Sequence, residues 1–174
     1  MPLFRASESD LADIADLVNS AYRGERARQG WTHEADYLDG QRTDLSTLQN
    51  DLRAQPAAGL YAFRDEPNSE PLGSVWLEPA ADGKWYLGML TVRPDLQDRK
   101  LGRSVLAEAE RLAQSFGARA IRMTVVDIRH ALIGWYQRRG YELTGETLPF
   151  PYDDDRFGIP LRDDLKFVVM EKQL

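Results

Sequence analysis

The sequence predicts a mixed α/β (α+β) fold, with an antiparallel N-terminal sheet half and a βαβ C-terminal half. About six to seven strands in one central sheet and about four flanking helices are expected. Three observations carry this. Strand-like runs at Leu60–Arg64, Leu72–Leu77 and Trp85–Val92 follow one another with short links, and strands joined by tight turns are antiparallel neighbours. A helix-period apolar stripe then separates the third of these runs from a fourth, the order of a parallel crossover. The 174 residues, 43% hydrophobic and 29% charged, suffice for one core and do not demand two, so residues 1–174 are read as one domain.

Each element has a local reason. Leu3 to Ala6 reads as a short strand, and Ser7-Glu8-Ser9-Asp10 offers capping chemistry for a helix carrying Leu11, Ile14, Leu17, Val18 and Ala21. Thr43 is the expected cap of a second helix with Leu45, Leu48 and Leu52 on one face. Asp65-Glu66-Pro67-Asn68 and Ala81-Asp82-Gly83 are turns between the strands. Leu101, Val105, Ala109, Leu112, Ala113 and Phe116 form one helical stripe, closed by Gly117. Ile121 to Val125 alternates as a strand, His130 to Arg138 is a short helix, and a strand starts at Tyr141 to Leu143. An irregular loop to Asp164 and a last strand, Leu165 to Lys172, complete the sheet.

Composition excludes several classes of chemistry. With no cysteine there is no disulfide, thiolate metal site or cysteine nucleophile, and two histidines rule out a histidine-rich metal centre. No apolar run approaches the roughly 20 residues of a membrane span, and Met1 to Asp10 has no secretory pattern; a cytoplasmic enzyme without membrane partners is expected. Arg93 to Arg139 holds ten basic residues against five acidic ones, in a chain of net charge −6. A basic segment in an acidic protein suggests a polyanion site rather than general nucleic-acid binding.

The segment Leu90-Thr91-Val92-Arg93-Pro94-Asp95-Leu96-Gln97-Asp98-Arg99-Lys100-Leu101-Gly102-Arg103-Ser104 is a strand end, a polar loop and a helix start. A helix N-terminus presents unpaired amides and partial positive charge, which makes it a phosphate site. Gly102 permits close approach of a ligand, while Arg99, Lys100 and Arg103 add charge and Ser104 a hydroxyl. The spacing is neither a Walker A loop nor a dinucleotide fingerprint.

This segment resembles acetyl-CoA-binding motif A of the GCN5-related (GNAT) acetyltransferases, Gln/Arg-x-x-Gly-x-Gly/Ala after a strand. Gln97 and Gly102 fill its ends, and Lys100 stands where the first Gly is usual. Val125 to Tyr141 looks like motif B, with Trp135, Tyr136, Gly140 and Tyr141 in place, and Arg129 where Asn is common. The resemblance implies a GNAT fold and direct acetyl transfer from acetyl-CoA to an amine, with no metal. Leu90, Thr91 and Val92 would hold the pantetheine arm, Gln97 through Ser104 (Asp98 and Leu101 included) the phosphates, and Arg129 would also serve the cofactor. Tyr136 occupies the family's position for protonating the thiolate.

The base stays open between Glu78, Glu34, Asp36 and a water relay. The acceptor is expected to be a small-molecule amine held by Tyr22, Trp31, Glu34 and Phe150, from the two irregular segments that flank the acceptor in this fold; aromatic faces and carboxylates suit an ammonium. Loop anchoring is the plainer reading of Trp31 and Phe150. Arg138 and Arg139 are read as solvent-facing, and Trp76, Trp85 and Trp135 as packing residues. A non-catalytic acyl-CoA sensor and a peptide or protein N-acetyltransferase are the alternatives. A homodimer stays open, because members of this family often pair.

Overall fold

The computed structural model describes residues 1–174. β1 (Leu3–Arg5) leads into a 3-10 turn in which the Ser7 amide donates to the Asp10 carboxylate at 2.7 Å. α1 (Leu11–Tyr22) follows and buries Leu11, Ile14 and Val18, so its helical period becomes one core face. After α2 (Gly24–Ala27) and the short β2 (Leu38–Asp39) comes α3 (Leu45–Ala54). Its cap is Asp44, whose Oδ1 accepts from the Thr47 amide at 2.7 Å, and not the expected Thr43, which is buried with its hydroxyl unpartnered. Leu48 is fully buried and Leu52 partly so, whereas Leu45 is exposed.

β3 (Gly59–Phe63), β4 (Gly73–Pro79) and β5 (Lys84–Val92) form the antiparallel half. α4 (Leu101–Ser115) and β6 (Ala120–Val126) complete the crossover, since β6 pairs with β5 in parallel. Gly117, at φ 91, ends α4: its amide donates to the Gln114 carbonyl and that of Ala118 to the Ala113 carbonyl, the Schellman arrangement. α5 (His130–Gln137) precedes β7 (Glu142–Pro149), β8 (Ile159–Pro160) and β9 (Lys166–Gln173). The seven-stranded sheet runs β1-β3-β4-β5-β6-β9-β7, and β2 pairs with β8 in a separate ribbon.

Helices cover both faces. Val105, Leu106, Ala109 and Ala113 of α4 pack with Ile133 and Tyr136 of α5 on one face, against Val75, Leu77 and Ile121. Leu11, Ile14 and Val18 of α1 pack with Leu48 on the other, against Leu60, Ala62 and Trp76. Each fully buried Leu or Val contributes about 1.5–3 kcal/mol. No helix is long and apolar enough to cross a membrane.

Three further expectations need correction. β7 does not stop at Leu143 but continues to Pro149, because a register shift between Leu143 and Thr147 absorbs Gly145 at φ 86. Phe116 leaves the α4 stripe, 48% exposed, and stacks on Trp85 with centroids 5.2 Å apart. The loop between β7 and β9 is not wholly irregular, since it donates β8 to β2.

Candidate active site

The sheet forks in its middle. β5 and β6 pair only where Lys84–Tyr86 meets Ala120–Arg122, and the strands diverge beyond. A bulge steers β5 away: Ser74 faces Thr91 and Trp76 faces Gly88, so Met89 and Leu90 share Val75, with Met89 at φ 44. The Tyr22 hydroxyl, at the end of α1, donates to the Leu90 carbonyl at 3.0 Å and fixes that segment from above.

Two cavities of about 310 and 320 Å³ lie along the fork. They share Tyr22, Leu90, Arg129, Leu132 and Tyr136, so their junction sits where the strands separate. The first runs to the start of α4, lined by Gln97, Asp98, Lys100, Gly102 and Arg103. The second runs under the β2–β8 ribbon, toward Phe150 and Phe157, with Tyr86, Glu34 and Arg42 on its wall.

The first cavity is built for negative charge. Lys100 caps α4 at φ 63, ψ 11, the left-handed conformation that the glycine of motif A would adopt without cost. The Arg139 guanidinium lies 3.7 Å over the Trp135 ring and donates to the Trp135 carbonyl at 2.8 Å, while its Nε is buried with no partner. Burial, then the neighbouring Arg103 and Arg138, push its pKa below the usual arginine value. Arginines that repel one another around a helix start fit a polyanion. Arg139 therefore does not face solvent as the sequence suggested, although Arg138 does.

A model of the acetyltransferase (GNAT) family matches residues 12–141. The chain belongs to the GNAT acetyltransferase family. It is thus an N-acetyltransferase, of a family that uses acetyl-CoA, and the polyanion site suits that molecule's phosphates. Among solved structures, the ribosomal-protein-alanine N-acetyltransferase of Brucella melitensis superposes with TM-score 0.69 at 18% identity, over 100% of each chain. A putative phosphinothricin N-acetyltransferase gives 0.71 at 16% identity, over 99% of this chain and 97% of that one. A GNAT acetyltransferase from Elizabethkingia anophelis with acetyl-CoA bound gives 0.61 at 15% identity, over 73% and 82%. Likeness at these identities concerns the fold. No curated protein matches the sequence.

Most residues singled out in this GNAT sequence converge. Leu90, Thr91, Val92, Gln97, Asp98, Lys100, Gly102, Arg103, Arg129, Tyr22, Trp31 and Tyr136 all line the first cavity. Arg99 and Ser104 are exposed outside it, and Leu101 packs into the core below. Gln97 is turned toward the loop ahead of β2: the Thr32 amide donates to its Oε1 at 3.4 Å, and its amide group occupies the space a Cβ at Gly30 would need. Trp31 is 43% exposed, its ring centroid 6.3 Å from that of Trp135.

Tyr136 is buried at the junction, and burial, then the nearby Tyr22, raise its pKa well above the ordinary phenol value. Phe150 is 5% exposed and packs against Tyr152 and Phe167 in the second cavity's wall. Glu78 is not brought to either cavity; it accepts from Trp76 Nε1 at 2.8 Å. Asp36 is held at the surface by Arg28.

Glu34 reaches the second cavity but is committed. Its Oε2 takes Arg23 at 2.9 Å and its Oε1 takes Arg129 at 3.1 Å, all three side chains being at least nine-tenths buried. Arg129 also donates to Thr32 Oγ1 at 2.7 Å, and its guanidinium carbon lies 5.7 Å from the Tyr22 centroid. Arg23 donates further to the carbonyls of Gln41 at 3.3 Å and Phe157 at 2.8 Å, tying the segment after α1 to the loop before β8. Arg23, Thr32 and Arg42 fall within the expected acceptor segment Tyr22 through Arg42 but were given no role of their own; sequence reading missed the cavity face of Trp135. Only Arg23 carried a signal, a cation at the end of an amphipathic helix.

Proposed function

We propose that the protein acetylates the primary amine of a small molecule by direct attack on acetyl-CoA within a ternary complex. The observation that carries this reading is the junction: a basic cavity and an aromatic cavity meet at Tyr136, a buried side chain whose hydroxyl has no hydrogen-bond partner within the protein. A chamber of about 320 Å³ under Phe150, Phe157 and a pinned ribbon suits a small amine.

Acetyl-CoA supplies a thioester whose C–S bond breaks as the amine nitrogen forms the new C–N bond. Lys100, Arg103, Arg139 and the leading amides of α4 hold its phosphates, and the backbone of Leu90 to Val92 aligns the pantetheine arm. Tyr136, kept protonated by burial, donates a hydrogen bond to the departing sulfur. Full proton transfer from a phenol near 10 to a thiolate near 8.5 is uphill even before burial, so the sulfur gains its proton late. The guanidiniums of Arg42 and Arg129 disfavour an ammonium beside them. The acceptor therefore gives its proton to water, Glu34 being occupied by two arginines and Glu78 lying elsewhere.

A thiol-release assay over a panel of small amines and peptide N-termini tests this. Tyr136→Phe should lower kcat about 100-fold, within the usual range for a positioned proton donor, with acetyl-CoA affinity retained. Equal kcat would remove Tyr136 from the reaction, and turnover confined to peptide N-termini would overturn the small-molecule class.

A further inference from the structure

The charge of the acceptor chamber is unbalanced. Glu34 is the sole carboxylate on its wall, against the guanidiniums of Arg23, Arg42 and Arg129. Arg23 and Arg129 consume both oxygens of Glu34. Arg42 is different: its backbone amide is anchored by Asn19 Oδ1 at 2.8 Å, while its guanidinium forms neither ion pair nor hydrogen bond. That guanidinium lies 5.8 Å from the centroid of the Tyr22 ring, and the same ring closes the junction and holds Leu90. A half-buried arginine, fixed at its backbone and braced on an aromatic face, is a preorganised fork without a partner. Across the chamber, Leu148, Phe150, Phe157 and Phe167 offer an apolar wall.

We infer that Arg42 recognises a carboxylate on the acceptor, so that the substrate is a primary amine bearing both a carboxylate and an apolar body, an apolar amino acid being the simplest member. This rests on the acetyl-transfer reading above. Polyamines and other polycations are disfavoured, because the chamber carries two more positive charges than Glu34 neutralises. The carboxylate takes the open guanidinium, the apolar body meets the phenylalanines, and the amine is left at the junction with Tyr136.

The experiment compares leucine and phenylalanine with leucinamide and phenylalaninamide as acceptors at saturating acetyl-CoA. The amides lack the carboxylate but have the more readily deprotonated amine, so intrinsic reactivity opposes the expected result. The acids should be favoured in kcat/KM by about 10- to 100-fold, the range of one charge-assisted hydrogen-bond pair. Arg42→Met, which keeps the stem on Tyr22, should collapse that acid-to-amide ratio through KM, while Arg42→Lys should retain part of it. Calorimetric binding of N-acetyl-leucine against N-acetyl-leucinamide should give the same preference and the same loss in Arg42→Met, with no turnover needed. Equal use of acids and amides, or an unchanged ratio in Arg42→Met, would overturn the role of Arg42 while acetyl transfer stands. Failure of every amine together with failure to bind acetyl-CoA would overturn the transfer reading itself.

Discussion

Replacing Glu34 by Gln should unfold the protein far more readily than any surface substitution of similar chemistry. The carboxylate lies between two guanidiniums, with side-chain exposures of 4% for Arg23, 8% for Glu34 and 10% for Arg129. The substitution keeps the shape, removes the only compensating charge, and turns an amide donor toward a guanidinium that also donates. Removing one member of such a buried ion network costs about 3–5 kcal/mol, since the remaining charges stay dry and unpaired. For a chain of this size each kcal/mol moves the melting temperature by about 2–4 °C, so a fall on the order of 10 °C is expected. Urea titration followed by tryptophan fluorescence gives the midpoint, and an unchanged m value keeps the comparison valid. Asp36→Asn is the matched control, because its pair with Arg28 is solvent-exposed and screened by water, so its loss should be small beside that at Glu34. A loss below 1 kcal/mol for Glu34→Gln, or losses equal at the two positions, would refute the reasoning.

Two further outcomes can be measured on the same protein. Lys100→Gly relieves a left-handed backbone at φ 63 that costs a residue with a Cβ about 1–2 kcal/mol, against about 0.5–1 kcal/mol of extra unfolded-state entropy; a net gain of about 0.5–1 kcal/mol should appear in the urea midpoint, and a loss would contradict the assigned conformation. Asp10 is held down to a pKa of about 2 by its hydrogen bond from Arg64, from an ordinary value of 3.8. Its folded value lies below its unfolded one, so its contribution is complete above pH 3.8 and disappears as pH falls through about 2. With solvent reaching part of the carboxylate, the wild-type advantage over Asp10→Asn should be on the order of 1 kcal/mol at pH 6 and should shrink toward pH 2; a gap independent of pH would exclude this linkage.

The sequence was legible where structure repeats locally. The α4 stripe apart from Phe116, the glycine that ends it and the turns between strands all follow from short-range rules, and each was found where the residues implied. Motif spacing likewise brought Gln97, Lys100, Gly102 and Tyr136 to one cavity. What escaped was set by distant partners. Strands of two residues have no period, so the β2–β8 ribbon left no trace. Glu34 and Arg129 meet across 95 positions, and no local pattern distinguishes a carboxylate caught between guanidiniums from one free to accept a proton. Gly145 looked like the start of a loop because a bulge and a turn ask for the same residue. Thr43 and Asp44 are both good caps, and the choice between them depended on which one the surrounding chain buries.

Gly30 and Gln97 share one volume: a Cβ at Gly30 would lie 2.2 Å from Gln97 Oε1. A side chain at position 30 would leave every helix and strand intact, yet it would evict a group from the loop ahead of α4. The segment ahead of β2 and the loop ahead of α4 are therefore linked through one flexible side chain, and a change at position 30 is felt at position 97.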